Sequence, residues 1–162
     1  MEEGTATKTA AEFEQVLGLL GSGINVSANA QELTISATTL SRNFEETVAL
    51  VREVLTDPRW VEEDFERVKS AALTRIKGRE ANPNAIAAGA YNKLLYEAWH
   101  PYGRPAGGSV QTVSNLEMDD LKAAHSDLRV IRARARMHIV GDINPNRAEN
   151  GLKDLVLSLI HI

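Results

Sequence analysis

The sequence predicts an α+β domain in which an antiparallel sheet packs against helices. Over most of the chain, apolar residues recur at three- and four-residue steps, which is typical of helices that bury one face. In a few short regions they instead alternate with polar residues, which is typical of antiparallel strands with one wet face. Because these strands and helices are segregated along the chain, the pattern favours α+β over an alternating α/β fold.

Composition limits the classes of protein to which the chain can belong. Its 162 residues, 43% hydrophobic and 25% charged, suit a single domain with its own core. We expect that domain to cover residues 1–156. The absence of cysteine excludes disulfides and thiolate zinc sites. A net charge of −4 gives no reason to expect a nucleic-acid partner, and no apolar run is long enough for a membrane span.

The first third of the chain predicts a helix followed by a hairpin. Thr9 and Glu12 form a capping box at the start of the helix, and Gly21 suits its end. Residues 24–28 and 33–38 then alternate apolar and polar side chains across a short polar turn, which predicts an antiparallel pair. Another helix follows, and it ends before Pro58.

The middle of the chain predicts the longest helix, a second helix and a fixed loop. The long helix begins after Trp60, and its apolar face contains Val61, Phe65, Val68, Ala72 and Ile76. Arg75 returns to the edge of this face. Asn82 and Pro83 suit the cap and first residue of the next helix. That helix is expected to direct four residues inward: Ile86, Ala90, Leu94 and Ala98. The Pro- and Gly-rich stretch 100–108 is expected to be a fixed loop.

The last third predicts a helix, a strand and a final helix. Ser114 and Glu117 resemble a capping box, and His125 lies on the apolar face that follows. Residues 131–139 alternate strictly and predict a strand, and Asn144-Pro145 opens the last helix. Three strands are too few to cover so many helices, so partner strands are expected from an N-terminal segment or from another chain.

Several stretches, in order and at matching spacing, resemble the insulinase, pitrilysin and mitochondrial processing peptidase family of zinc metallopeptidases. Together they cover about nine-tenths of the chain. They are Gly4-Thr5, the hairpin from Ile24, Leu55-Thr56-Asp57-Pro58, His100-Pro101-Tyr102-Gly103-Arg104-Pro105 with Gly107-Gly108, Leu116 to His125, and Ile139 to Pro145. The resemblance implies a processing-peptidase-like domain that lacks its N-terminal strands.

The chemistry of that family rests on an inverted zinc motif, H-x-x-E-H, with a distal glutamate as third ligand. In relatives the motif directly precedes the pair matching Gly4-Thr5, so here it would lie upstream of Met1. The position of the distal glutamate is Arg75, whose guanidinium has no lone pair for a metal. The resemblance therefore implies a non-catalytic half with no catalytic residue and no metal ligand in this chain. Zinc is expected in a catalytic partner or in an upstream segment.

The implied role is to close a chamber as part of a heterodimer with a homologous, zinc-bearing subunit or domain. Asn25, Val26 and Ser27 match the strand that, in catalytic relatives, binds extended peptide by strand addition. An ordinary hairpin strand is an equally good interpretation of these residues. Two other functions stay open: a fragment of a catalytic zinc endopeptidase whose motif lies upstream, and a structural subunit without a proteolytic role. Relatives include periplasmic and organellar proteins, and any export signal would lie upstream.

The remaining candidates favour structural roles. The four histidines, His100, His125, His138 and His161, show no helical metal-binding spacing. We expect His125 to be a hydrogen-bonded core residue. The basic row of Arg132, Arg134, Arg136 and His138 suits either an acidic partner or a solvated strand face. Residues 157–162 resemble a non-native tail, although Leu159 also continues the apolar stripe of the last helix.

Overall fold

Seven α-helices and two two-stranded sheets form the regular structure of the described residues, which in this computed structural model are 3–29, 31–97, 99–130 and 135–158. The strands are β1 (Gly4–Thr5), β2 (Lys8–Thr9), β3 (Gly23–Ala28) and β4 (Leu33–Thr38). The helices are α1 (Ala10–Leu20), α2 (Phe44–Thr56), α3 (Glu62–Glu80), α4 (Pro83–Leu95), α5 (Val110–Ser114), α6 (Met118–Val130) and α7 (Pro145–Ser158). The α+β class is confirmed.

The chain forms two compact units. The first contains residues 1–27, 34–59 and 122–162, and the second contains residues 28–33 and 60–121. The first unit therefore holds α1, α2, α7 and most of the β3–β4 hairpin. The second holds α3, α4, α5 and the tip of the hairpin.

Helices α1 and α2 make the core of the first unit. The predicted capping box is present, because Thr9 and Glu12 each bond the other's backbone N–H. Gly21 ends α1 with a φ of 58°, in the left-handed region that glycine adopts without a steric cost. The core cluster consists of Phe13, Leu17, Leu50 and Val54, with Val16, Leu20, Ile24 and Val26 packed against it.

The chain enters this unit through a tight turn held by Glu53 of α2. The Glu53 carboxylate accepts hydrogen bonds from the Thr5 hydroxyl at 2.9 Å, the Lys8 ammonium at 2.8 Å and the Thr7 hydroxyl. Burial, the largest influence, raises the pKa of Glu53, but the bonds from Lys8, Thr7 and Thr5 together outweigh it and lower the pKa below its ordinary value. These contacts connect β1 and β2 to α2.

Helix α7 packs on α2 in the same unit. Gly151 lies against the ring of Phe44, so closely that a Cβ there would be 2.7 Å from a ring carbon. Arg147 binds Glu45 through two nitrogens, each 2.6 Å from a carboxylate oxygen. Hydrogen bonding from Arg147 lowers the pKa of Glu45 to about 2. A cleft of about 570 Å³ lies beside this contact.

In the second unit, α3 buries Phe65 and Ile76, as predicted, but Val68 of the same predicted face is 42% exposed. Two of its cations hold the loops that follow: Lys69 donates to the Leu116 carbonyl at 2.8 Å, and Arg79 donates to the Gly108 carbonyl at 2.7 Å. The expected capping box at Ser114 and Glu117 is wrong. Ser114 is the last residue of α5, a helix whose own capping box is formed by Ser109 and Thr112 at its start. Before α6, the Glu117 backbone N–H donates to Asp120 Oδ2 at 2.9 Å.

Helix α4 begins as predicted, because the Asn82 side chain accepts from the backbone of Asn84 and Ala85. Its expected inward face is wrong. Ile86, Ala90 and Leu94 are exposed, α4 buries none of its residues, and Ala98 lies outside the described residues. Only one of the 13 residues of α4 is charged, so its surface is largely apolar. No other segment among the described residues covers that surface.

The strand predicted for residues 131–139 is not formed at residues 135–139, the part of this stretch that the structure describes. Residues 135–140 have no ladder partner, and their side chains are exposed. A strand requires a neighbour that accepts and donates its backbone hydrogen bonds, and alternation alone does not supply one. Arg132 and Arg134 of the basic row, and residues 159–162 of the expected tail, lie outside the described residues.

Candidate peptide-binding edge and the Arg75 position

Strand β3 contains the three residues predicted to bind peptide, and their side chains face opposite sides of the strand. Val26 is half-buried against the core cluster of α1 and α2, whereas Asn25 and Ser27 are exposed. Because side chains alternate along a strand, Val26 fixes the strand to the core while its two neighbours face the opposite side. The structure therefore confirms the predicted alternation but does not test peptide binding.

Only β4 pairs with β3 within the described residues. The four-residue link between them requires an antiparallel pair, so each strand has one edge without a neighbouring strand in that part of the chain. Natural sheet edges are usually protected by charged residues, proline or bulges. Neither Gly23–Ala28 nor Leu33–Thr38 contains a charged residue or a proline. Within the described residues, the edges of the hairpin therefore lack these protective features.

A cluster of three hydroxyl groups holds the base of the hairpin against α2. Ser22 Oγ lies 2.7 Å from Thr39 Oγ1 and 2.9 Å from Thr47 Oγ1. Asn43 precedes α2 without capping it through its side chain, and its amide donates to the Leu20 carbonyl at 2.7 Å. Sequence periodicity missed this cluster because Thr47, which is buried, looked like part of a polar helix face.

Arg75 lies on α3 with its side chain exposed. The sequence had placed it at the edge of the buried face, so the observed position is further toward solvent than predicted. Three other cations of α3 have partners: Arg67 pairs with Asp64, Lys69 with the Leu116 carbonyl, and Arg79 with the Gly108 carbonyl. Among the described residues Arg75 has no hydrogen-bond or ion-pair partner.

Comparisons with known proteins agree on one group of peptidases and their homologues. No family model matches the chain. It is 25% identical over 122 residues to the non-peptidase homolog YmxG of Helicobacter pylori, which covers 75% of this chain and 28% of that protein. It is 26% identical over 123 residues to an uncharacterized zinc protease of Mycobacterium leprae, covering 76% and 27%.

Solved structures show the same fold. A peptidase M16 inactive domain from Pseudomonas fluorescens superposes with a TM-score of 0.88 at 24% identity, over 97% of this chain and 38% of that one. A protease from Helicobacter pylori gives 0.79 at 20% identity, over 94% and 37%. These similarities confirm the resemblance to the insulinase family of zinc metallopeptidases and their non-peptidase homologues. The chain has the fold of an inactive domain of that family, and it spans about 28% of the curated relatives it matches.

The insulinase-family zinc ion does not fit the residues present. The predicted resemblance aligns its distal ligand with Arg75 of α3, and a guanidinium repels a metal cation and offers it no lone pair. The described ranges hold no group of three His, Asp or Glu side chains that could bind a metal. His125 is buried, and its Nε2 lies 2.7 Å from the Leu55 carbonyl. The prediction that His125 is a hydrogen-bonded core residue is thus confirmed.

The family signature at 100–105 has a structural role. His100 Nδ1 accepts from the Tyr102 backbone N–H at 3.2 Å, and its ring stacks on Tyr96 with 4.9 Å between centroids. Arg104 Nη2 lies 3.5 Å from the Trp99 carbonyl oxygen. Gly103 leaves no room for a side chain, because a Cβ would lie 2.6 Å from the Glu97 carbonyl oxygen. None of the described helices is both long and apolar enough to cross a membrane.

Proposed function

We propose that this chain is part of the non-catalytic half of an insulinase-family peptidase. In this proposal it encloses a chamber with a homologous half that carries zinc, and it holds extended peptides while that half hydrolyses them. The observation that supports it most directly is Arg75, a cation at the helix position where the family pattern requires a zinc-binding carboxylate. The activity of the whole protein then resides in its partner half.

Peptide binding is assigned to the edge of β3. A two-stranded hairpin has free backbone donors and acceptors on its outer edges, and an extended peptide satisfies them by adding a strand. Asn25 and Ser27 are short and uncharged, so they neither block an approaching peptide nor select it by charge. The hydroxyl cluster of Ser22, Thr39 and Thr47 orders the strand beforehand, which lowers the entropic cost of binding.

The exposed apolar surface of α4 supports a role for this chain within a larger assembly. Four of its large apolar side chains are exposed: Ile86, Tyr91, Leu94 and Leu95. Contiguous apolar surface of this kind is covered in stable assemblies. A chain that functioned alone would be expected to carry more charge there.

The first experiment tests the assignment of roles. The gene is tagged at its native locus, the complex is purified, and zinc is measured by mass spectrometry together with cleavage of an internally quenched peptide. We expect a homologous, zinc-containing chain or domain and chelator-sensitive cleavage. Zinc bound by a protein in which H-x-x-E-H directly precedes Gly4 would support the catalytic alternative. A complex without zinc and without cleavage would support the structural subunit.

The second experiment tests strand addition at β3. A fluorescein-labelled, ten-residue peptide of alternating valine and threonine is titrated into the purified complex and followed by anisotropy. Because the N–H groups of successive residues point to opposite edges of a strand, one of the pair Asn25→Pro and Val26→Pro removes a donor from the free edge of β3, and that variant should weaken binding about tenfold. Ser27→Ala and Asn25→Ala keep the backbone and should change affinity less than threefold. Ser36→Pro on β4 controls for a proline in the hairpin, and equal losses in all variants would contradict the assignment.

A further inference from the structure

Helix α4 turns its small residues, rather than its large ones, toward the rest of its unit. Ala85 and Gly89, one turn apart, are its only partly buried residues, and the others are exposed. Its larger apolar side chains follow two adjacent rows with a spacing of four residues, which places each row along one side of the helix. These rows are Ile86, Ala90 and Leu94, and Ala87, Tyr91 and Leu95. The apolar half of α4 therefore lies on the outside of the second unit.

The turn that follows α4 adds exposed aromatic rings beside the helix. Residues 101–103 contact α4, and the Tyr102 ring centroid lies 5.5 Å from that of Tyr96. The Trp99 centroid lies 5.7 Å from that of His100. These ring contacts hold the aromatic side chains in place, yet Trp99 is 70% exposed and Tyr102 is 40% exposed. We call the exposed set the α4 surface, and it consists of Ile86, Tyr91, Leu94, Leu95, Trp99 and Tyr102.

The size and composition of the α4 surface suit a protein partner. Its six side chains expose roughly 700 Å², compared with about 800 Å² on each partner of a standard interface. Tryptophan and tyrosine are enriched at the centres of such interfaces, and charged residues are depleted there. Residues 81–116 contain three charged side chains, Lys93, Glu97 and Arg104, and Glu97 already accepts a hydrogen bond from Trp99 Nε1. So little positive charge does not suit nucleic acid or an anionic membrane.

We infer that the α4 surface packs against the corresponding helix of the homologous, zinc-bearing subunit, and the inference rests on the proposed function. Two subunits with the same fold that associate about an approximate two-fold axis bring the same face of each together. The outer rows of α4 suit such a pairing, because Ile86 and Leu94 are large and Ala90 between them is small. In an antiparallel pair, Ile86 lies beside the counterpart of Leu94, and the small residue at position 90 lets the two backbones approach.

The first test uses the native complex and a photo-reactive residue. The amino acid p-benzoylphenylalanine is introduced at Leu94 or at Tyr91, the complex is purified and irradiated, and cross-linked peptides are identified by mass spectrometry. Both positions should cross-link to the zinc-bearing subunit, within the helix that corresponds to α4. Leu19 is the matched control, because it is 80% exposed on α1 and lies outside the α4 surface. It should give no cross-link to that helix.

A pair of substitutions measures how much the contact contributes to association. Ala90→Arg places a charge and a long side chain where the two helices are expected to approach, and it should weaken association at least about tenfold. Asn92→Arg makes a similar change on the same helix outside the two apolar rows, and it should change association less than about twofold. Both residues are exposed, so circular dichroism should show that both variants fold. Sedimentation velocity over a dilution series gives the dissociation constants.

Three results would overturn the inference. Cross-links from Leu94 and Tyr91 to another segment of the same polypeptide, or to an unrelated protein, would show that something else covers the α4 surface. Absence of cross-links from both positions, or equal losses from Ala90→Arg and Asn92→Arg, would show that the zinc-bearing subunit binds elsewhere. In each case the proposed function stands as long as that subunit is present in the complex. A complex that lacks a homologous subunit would contradict the proposed function itself, and the inference with it.

Discussion

Helices α2 and α4 have the same length, 13 residues each, but they are packed in opposite ways. Helix α2 buries five residues: Phe44, Thr47, Leu50, Val51 and Val54. Helix α4 is more apolar in composition and buries none. Apolar content alone therefore does not place a helix inside. Helix α2 packs on α1, α7 and the first strands, whereas α4 contacts α3 and the turn at residues 101–103 and still buries no residue.

The largest difference between buried and exposed positions should appear within α1. Leu17 is 4% exposed and belongs to the core cluster, whereas Leu19, two residues later, is 80% exposed. Leu17→Ala should destabilise the first unit by about 2–5 kcal/mol, because it removes buried methyl groups and leaves a cavity. Leu19→Ala should stay within about 0.5 kcal/mol. Amide exchange across α1 and α2 measures both, and similar losses would contradict the packing described.

A smaller loss is expected from the turn that precedes α1. Gly4 has a φ of 99°, and a Cβ there would collide with the Lys8 carbonyl oxygen. Gly4→Ala should therefore cost about 1–3 kcal/mol through strain and displacement of β1 from β2. Gly23→Ala is the matched control, since a Cβ at Gly23 would meet no atom within 4 Å. The measurement is the midpoint of thermal unfolding followed by circular dichroism, and equal midpoints would count against the turn geometry.

A substitution on α4 should show that its exposed residues contribute little to stability, unlike the buried residues of α2. Leu94 is 89% exposed, so Leu94→Lys should change the stability of the second unit by no more than about 0.5 kcal/mol. In the assembled protein the same change should weaken association, because it places a charge on surface that the assembly is expected to cover. Amide exchange and size-exclusion chromatography report the two effects separately. Strong loss of α3 protection would show that Leu94 is part of the packed interior of that unit.

The smallest effect concerns the ion pair between α2 and α7. Arg147 holds the pKa of Glu45 at about 2, below the ordinary value of 4.5. A depressed folded-state pKa means that the contribution is complete above about pH 4.5 and is lost as the pH falls toward 2. Glu45→Gln should reduce the dependence of the free energy of unfolding on pH between about pH 2 and pH 4.5, and nowhere else. Glu46→Gln is the control, and a slope unchanged by Glu45→Gln would contradict the role of the pair.

Sequence reasoning succeeded where the signal was local. The capping box of Thr9 and Glu12, the end of α1 at Gly21 and the start of α4 at Asn82 depend on residues within one turn, and the structure shows all three. The hairpin and the long helix α3 were also found, because their periodicities are regular. Family resemblance, built from short matches in order, led to the correct fold.

The remaining features could not be predicted because they depend on distant neighbours. Whether the apolar face of α4 is buried depends on what packs against it, and no residue within α4 decides that. Residues 135–140 alternate like a strand but form none in the absence of a partner strand. The Glu53 network joins α2 to Thr5, 48 residues away, and no spacing rule connects the two. Arg75 shows the same limit, since its exposure follows from the packing of α3.

We propose that zinc is bound by the partner half and not at α3 of this chain. A crystal of the native complex, measured on both sides of the zinc absorption edge, tests it directly. We expect one anomalous peak, at ligands of the homologous half, and none within bonding distance of residues 72–76. A zinc peak coordinated from that stretch of α3 would contradict it.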